Sequence, residues 1–187
     1  MSKDAVFITL LYEDVQHRSF ASRFLKERKF DTRKLREVAI KPGKGSAEQF
    51  VREQFIKELK WFRARSSRAA TCLIVIADAD KLTVQDRLDW FEKICRDEPI
   101  QFRTPTEKFA FIIPKRNIET WLAYLRGEEV VELAADDQDK YPKYKKEESR
   151  CQPQVEKLAA MCRRGKLEGN PPPSLQSACA EFQRLGL

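Results

Sequence analysis

The chain has 187 residues, 42% of them apolar and 35% charged, with a formal net charge of +7. That length suits one domain with a substantial core, or one domain and a small appendage, and no apolar run approaches the ~18–20 residues that cross a bilayer. Met1, Ser2, Lys3 and Asp4 lead into an apolar segment too short for a signal peptide, so a cytoplasmic location is expected. The five cysteines (72, 95, 151, 162 and 179) form no CxxC and no Cys/His cluster, and are expected to be reduced core thiols rather than staples or a zinc site. The basic excess suits a polyanionic partner such as nucleic acid, although 29 acidic residues keep it moderate.

In chain order, "AVFITLLY" (5–12) reads as a buried strand, and Phe20, Phe24 and Leu25 then repeat at helical spacing over 17–29. "EVAI" (37–40) is a short second strand that runs into the two-glycine loop "KPGKGS". From Ser46 to about Arg65, Val51, Phe55, Leu59 and Phe62 mark one helix face. Thr71 to Ala77 is the third strand, and Val84, Leu88, Phe91 and Cys95 mark the helix after it, from Thr83 to about Arg96. Phe109 to Ile113 is the fourth strand, closed by Pro114, and Ile118, Trp121, Leu122 and Leu125 form the next helical seam. Residues 127–150 are polar and aperiodic and read as a long, partly mobile loop. Two helices, about 152–164 and 174–185, finish the chain on either side of the extended "GNPPP".

The order β-α-β-α-β-α-β-α, with strands that are continuous apolar runs, predicts an α/β fold: a Rossmann-like layer sandwich with a mainly parallel sheet. It is followed by a helical C-terminal extension. The expected division is 1–126 for the α/β domain and 127–187 for a loop and helices packed on it.

Open parallel sheets bind ligands outside the carboxyl ends of their strands. Charged residues collect there. Glu13 and Asp14 follow the first strand, Lys41 and Lys44 the second, Asp78 and Asp80 the third, and Lys115, Arg116 and Glu119 the fourth. Unpaired carboxylates ~4 Å apart repel by ~4 kcal/mol at an effective dielectric near 20, and a cation removes that cost. Oxygen ligands with no expected Cys or His among them select Mg²⁺ or Mn²⁺. Such a site activates water and stabilises a phosphoryl group in transfer.

Simpler roles exist for the same residues. Asp80 suits the cap of the helix near Thr83, Asp14 the cap of the helix at His17, and Glu119 a helix's first turn. His17, the single histidine, reads as an exposed helix-start residue. The "KPGKGS" loop lacks the GxxxxGKS/T spacing of a nucleotide-binding loop. Basic helical positions such as Arg23, Lys26, Arg52 and Lys60 suit either a solvated face or an electrostatic footprint.

"YEDVQHRSFASRFL", "ADAD" and "IIPKRNIETWLAYL" resemble the TOPRIM domain of topoisomerases, primases and OLD-family nucleases, and within that group the small standalone proteins of the DUF4276 type associated with bacterial anti-phage defence. The resemblance spans about residues 4–126, with the tail "PPPSLQSACAEFQRL". It implies that Glu13, Asp78 and Asp80 bind Mg²⁺ or Mn²⁺ for phosphodiester chemistry, with Glu119 completing the site. It also implies an ATPase partner of the AAA or ABC type. Where that group has glycine after the glutamate, this chain has Asp14, which changes the turn after the strand.

The expected function is a Mg²⁺-dependent nuclease. Glu13, Asp78, Asp80, Glu119 and Lys115 are its candidate catalytic residues, and Lys41, Lys44 and Arg116 its candidate nucleic-acid contacts. The alternative is a catalytically silent basic adaptor that binds nucleic acid or an ATPase. Two other classes fit less well. A response-regulator receiver would use Asp78 and Lys115 but leads its acid pair from the first strand. A dehalogenase-type phosphatase would need DxDxT, and Leu82 stands at the threonine position.

Overall fold

The computed structural model describes residues 6–39, 47–132 and 151–186. Its elements are β1 (Phe7–Tyr12), α1 (Val15–Glu27), β2 (Leu35–Ala39), α2 (Ala47–Ser66), β3 (Thr71–Ile76), α3 (Val84–Asp97), β4 (Phe109–Ile112), α4 (Ile118–Arg126), α5 (Gln152–Arg164) and α6 (Pro173–Leu185). The four strands form one sheet in the order β2-β1-β3-β4, and every pairing is parallel. The protein is thus α/β, with a Rossmann-like layering of helices on both faces of a parallel sheet.

Alternation along the strands assigns the faces. Cys72, Ile74 and Ile76 of β3, with Ala110 and Ile112 of β4, face a core built with α1, α4, α5 and α6. Leu73 and Val75, with Phe109 and Phe111, face a second core built with α2 and α3. Because both faces are covered, all six β3 residues are buried, and the strand reads as an unbroken apolar run rather than an alternating one. Phe20, Phe24, Trp121 and Phe182 interlock in the first core. Phe55, Phe91, Phe109 and Phe111 do so in the second. Each fully buried ring contributes roughly 1.5–3 kcal/mol relative to exposure.

The C-terminal helices share the first core through Val155, Leu158, Phe182 and Leu185. Glu132 accepts from the Ser174 amide at the start of α6 (2.9 Å) and from its hydroxyl, while Ser174 Oγ accepts from Trp121 Nε1 (2.8 Å). The stretch before residue 133 is thereby tied to both α4 and α6.

Helix α1 starts at Val15, two residues earlier than the apolar periodicity alone gives, because Asp14 caps it by accepting from the His17 amide at 2.8 Å. The expectation of five reduced thiols is corrected. Cys162 of α5 and Cys179 of α6 form a disulfide, their Cα atoms 5.6 Å apart where the core-facing sides of the two helices meet, and Cys72, Cys95 and Cys151 are free and buried. Lys41, Lys44 and most of the expected long loop (133–150) lie outside the described residues. Among the described residues no helix is long and apolar enough to cross a membrane.

Candidate metal centre

The sheet order places a topological switch point between β1 and β3. From β1 the chain leaves to α1 on one face, and from β3 it leaves to α3 on the other. Departing in opposite directions, the two connections leave a crevice between neighbouring strand ends, where ligands of open α/β sheets bind. Tyr12 pairs with Ile76 as the last rung. Glu13 is the next residue of one strand and Asp78 lies two residues past the end of the other.

Glu13 and Asp78 meet there. Glu13 Oε2 accepts from the Asp78 amide at 3.1 Å. His17 joins them from the first turn of α1. Its backbone N–H is held by Asp14, and helical side chains lean toward the helix start, so the imidazole lies back over the end of β1. It is 1% exposed, with Nε2 2.9 Å from Asp78 Oδ1. One ligand atom from each of Glu13, His17 and Asp78 lies within 4.8 Å of the others, the one such group among the described residues. The expectation of an exposed His17 is therefore corrected: the cap that starts the helix early turns the ring inward.

Burial disfavours the ionised forms of both carboxyls in the cluster. Burial pushes the Asp78 carboxyl up to about 6, against the hydrogen bond and charge of His17, which favour its ionised form. Burial also raises Glu13, opposed by Arg87 and the Asp78 amide. Burial alone would lower the His17 imidazole, but the hydrogen bond and charge of Asp78, with Asp14 and Glu13, outweigh it and raise it. Because His17 and Asp78 are in contact, their titrations are coupled and belong to the pair. A divalent cation would neutralise the carboxylates, and one imidazole nitrogen with two carboxylates is a chemically suitable donor set for it.

Arg87 is the internal counterion. Its Nη2 pairs with Glu13 Oε1, and its guanidinium stacks over Trp90 (4.6 Å) and Phe91 (5.4 Å). The sequence alone does not single it out. Its spacing three and four residues before two aromatics is visible there, but its partner stands 74 positions away.

The remaining predicted residues surround this group rather than join it. Asp80 is exposed, with a backbone φ of 51° that carries it around the tight turn closed by the Leu82 N–H to the Ala79 carbonyl. Its carboxylate is outside the cluster, though near enough to raise Glu13. It does not cap α3. Thr83 does, in a reciprocal pair of hydrogen bonds with Asp86. Lys115 is buried, and its Nζ donates to the Leu82 carbonyl at 2.7 Å. Burial and the neighbouring Arg116 lower its pKa. Arg116 Nη1 donates to the Asp80 carbonyl at 3.3 Å. Both cations thus brace the turn after β3. Glu119 is 6% exposed in the first turn of α4 and is not part of the cluster. Beside His17, the buried Gln16 amide has neither polar atom hydrogen-bonded.

Comparison with models of known protein families, with curated proteins and with solved structures finds no match.

Proposed function

We propose that the protein is a divalent-metal-dependent nuclease that hydrolyses phosphodiesters of DNA or RNA. The observation that carries this reading is the meeting of Glu13, His17 and Asp78, incompletely neutralised, at the sheet's switch point. These three residues would hold the ion. Such an ion lowers the pKa of a bound water and draws charge from a phosphoryl oxygen. Glu13 anchors the end of β1 to the Asp78 amide and so fixes the spacing of the two carboxylates. Asp80, on the exposed rim, would reach the cluster through water, as Mg²⁺-type ions retain several. Lys115 and Arg116 hold the turn that presents Asp80, and the basic excess of the chain would draw in a polyanion. Family resemblance supports a role in bacterial anti-phage defence with an AAA- or ABC-type ATPase partner.

The test is cleavage of end-labelled single- and double-stranded DNA and RNA with Mg²⁺, Mn²⁺ or EDTA. Wild type would be run beside Asp78→Asn and Glu13→Gln, with folding checked by thermal melts. Cleavage by wild type that EDTA and either substitution abolish supports the reading. Cleavage indifferent to both would sink it.

A second reading has one observation in its favour. Arg87 already balances Glu13, as a silent adaptor would require. Nucleic-acid or ATPase binding unaffected by Asp78→Asn, with no divalent ion bound, would select it.

A further inference from the structure

The sequence reading expects no histidine among the carboxylates, whereas His17 lies against Asp78, and its nitrogen bears on which ion the site would take. We propose that the Glu13–His17–Asp78 cluster binds a first-row transition ion, Mn²⁺ through Zn²⁺, in preference to Mg²⁺, with His17 Nε2 as the selecting ligand. The inference rests on the metal-site reading above and specifies it.

Mg²⁺ is a hard ion that is usually held by one or two carboxylates and retained waters. An imidazole nitrogen is a softer donor that suits Zn²⁺ and its neighbours, and affinity for a nitrogen-containing site rises from Mn²⁺ through Co²⁺ toward Cu²⁺. For His17 to be a bystander it would have to stand aside, and three observations oppose that. The residue is 1% exposed. Its backbone is fixed by the Asp14 cap. Its Nε2 already lies 2.9 Å from Asp78 Oδ1, near the roughly 3.0–3.4 Å that separates adjacent ligand atoms on an octahedral or tetrahedral ion with bonds of about 2.1 Å. An ion bound at Asp78 Oδ1 would therefore find Nε2 beside it and would take the place of the His17–Asp78 hydrogen bond, with Glu13 able to join because its ligand atom lies within 4.8 Å of the other two. With Nε2 as the ligand, Nδ1 would carry the ring proton, and it stands 3.8 Å from Asp14 Oδ1 with no hydrogen bond. Two carboxylates and one imidazole nitrogen would then hold the ion.

The test is calorimetric titration of the metal-stripped full chain with MnCl₂, CoCl₂, ZnCl₂ and MgCl₂, for wild type and His17→Gln. The expected result is binding of the transition ions about 100-fold tighter than Mg²⁺ in wild type. In His17→Gln that ratio falls at least tenfold, with Mg²⁺ affinity changed less than threefold. Mg²⁺ within tenfold of Mn²⁺ and Co²⁺ in wild type, or a substitution that weakens all four ions alike, overturns the inference and leaves the metal-dependent reading standing. Failure of all four ions to bind overturns both. If His17→Gln does not fold, wild type alone decides the matter. Electron-spin-echo spectra of the Mn²⁺-loaded protein then show coupling to an imidazole ¹⁴N, and bound Mn²⁺ without that coupling overturns the assignment.

Discussion

At the amino end of β4, Glu107 lies under Arg63; at the carboxyl ends of β1 and β3, Glu13 lies under Arg87. The two glutamates are exposed to similar extents, 20% and 23%, and so, broadly, are their arginines, 25% and 16%. Their acidities nonetheless move in opposite directions. Glu107 is held below the usual carboxylate range despite its burial, and Glu13 is raised. Glu107 receives two parallel bonds from Arg63, Nε to Oε1 at 2.7 Å and Nη2 to Oε2 at 3.0 Å, and a third from the Thr104 amide at 2.9 Å. Arg63 spends its remaining reach on the Gln101 and Phe102 carbonyls. Glu13 is raised mainly by its burial, which one arginine contact, one amide and His17 do not offset, and Asp80 adds to the rise. Pairing alone therefore does not distinguish a structural acid from a functional one. The distinction lies in whether the bonds outweigh the cost of burial: at Glu107 they do, and at Glu13 burial prevails. A cavity of about 570 Å³ also opens at the amino end, lined by Val6, Phe30, Phe62 and Cys72 among others. The acids that burial raises lie at the opposite end.

The sharpest way to break this contrast is to neutralise one acid from each end. Asp78→Asn should reduce metal-dependent cleavage by on the order of 10³-fold or more, read with the same end-labelled nucleic acids. It should leave the metal-free fold at least as stable as wild type at pH 8, because the substitution removes a carboxylate that burial disfavours. Glu107→Gln should leave cleavage unchanged and destabilise the fold by about 1–3 kcal/mol in urea unfolding, because Arg63 loses its charged partner. If Asp78→Asn destabilises as much as Glu107→Gln, the carboxyl-end cluster is structural.

Much of the site is legible in the amino-acid sequence, and the gaps have physical causes. Glu13 and Asp78 follow from one rule, that buried parallel strands deliver functional groups at their carboxyl ends. Asp80 is grouped with Asp78 in the sequence reading because both follow the third strand. The strand ends at Ile76, so alternation no longer governs, and the left-handed turn at Asp80 moves it to the rim. His17 is misjudged from sequence because a histidine in the first turn of a helix is commonly solvated. The signal that could find it is its spacing four residues after Glu13, which places the ring over the strand end once Asp14 caps the helix. The Cys162–Cys179 bond depends on how α5 and α6 pack, which the spacing of the thiols does not reveal. Long apolar runs and helical seams are sufficient for the layers because they report burial directly. Side-chain partners across 60 or 70 residues leave no local trace.

The pH dependence of stability sharpens the same contrast. In EDTA, Asp78 has a folded pKa of about 6 against an unfolded value of 3.8, so the folded state binds the extra proton between them. The stabilisation is full below about pH 4 and is lost as pH rises through 6, by up to about 3 kcal/mol. His17, also raised, loses its contribution as pH climbs beyond 6.5, in the same direction. Glu107 acts oppositely, since its contribution is present above 4.5 and is lost as pH falls through its depressed folded value. Thermal melts from pH 4 to 8 should therefore show falling stability for wild type and a flatter profile for Asp78→Asn. The steep loss in stronger acid should be reduced in Glu107→Gln. A wild-type profile that rises steadily from pH 4 to 7 would contradict the assignment of buried, upward-shifted acids.

The smallest expected effect concerns the two arginines. Arg63→Gln should leave divalent-ion affinity unchanged, because its carboxylate partner is at the far end of the sheet. Arg87→Gln should strengthen ion binding by about three- to tenfold, or ~0.7–1.4 kcal/mol, because it withdraws a positive charge from the cluster and releases Glu13 Oε1 as a ligand. Two contributions oppose each other here. Arg87 competes with the ion electrostatically, but it also fixes the Glu13 side chain from its stack on Trp90 and Phe91. Glu13 keeps a second anchor in the Asp78 amide, so the loss of order should be the lesser term, and the gain should diminish in high salt as the charge term is screened. Weaker ion binding in Arg87→Gln would invert that ranking and make Arg87 a positioning residue for Glu13 rather than a counterion that the metal displaces.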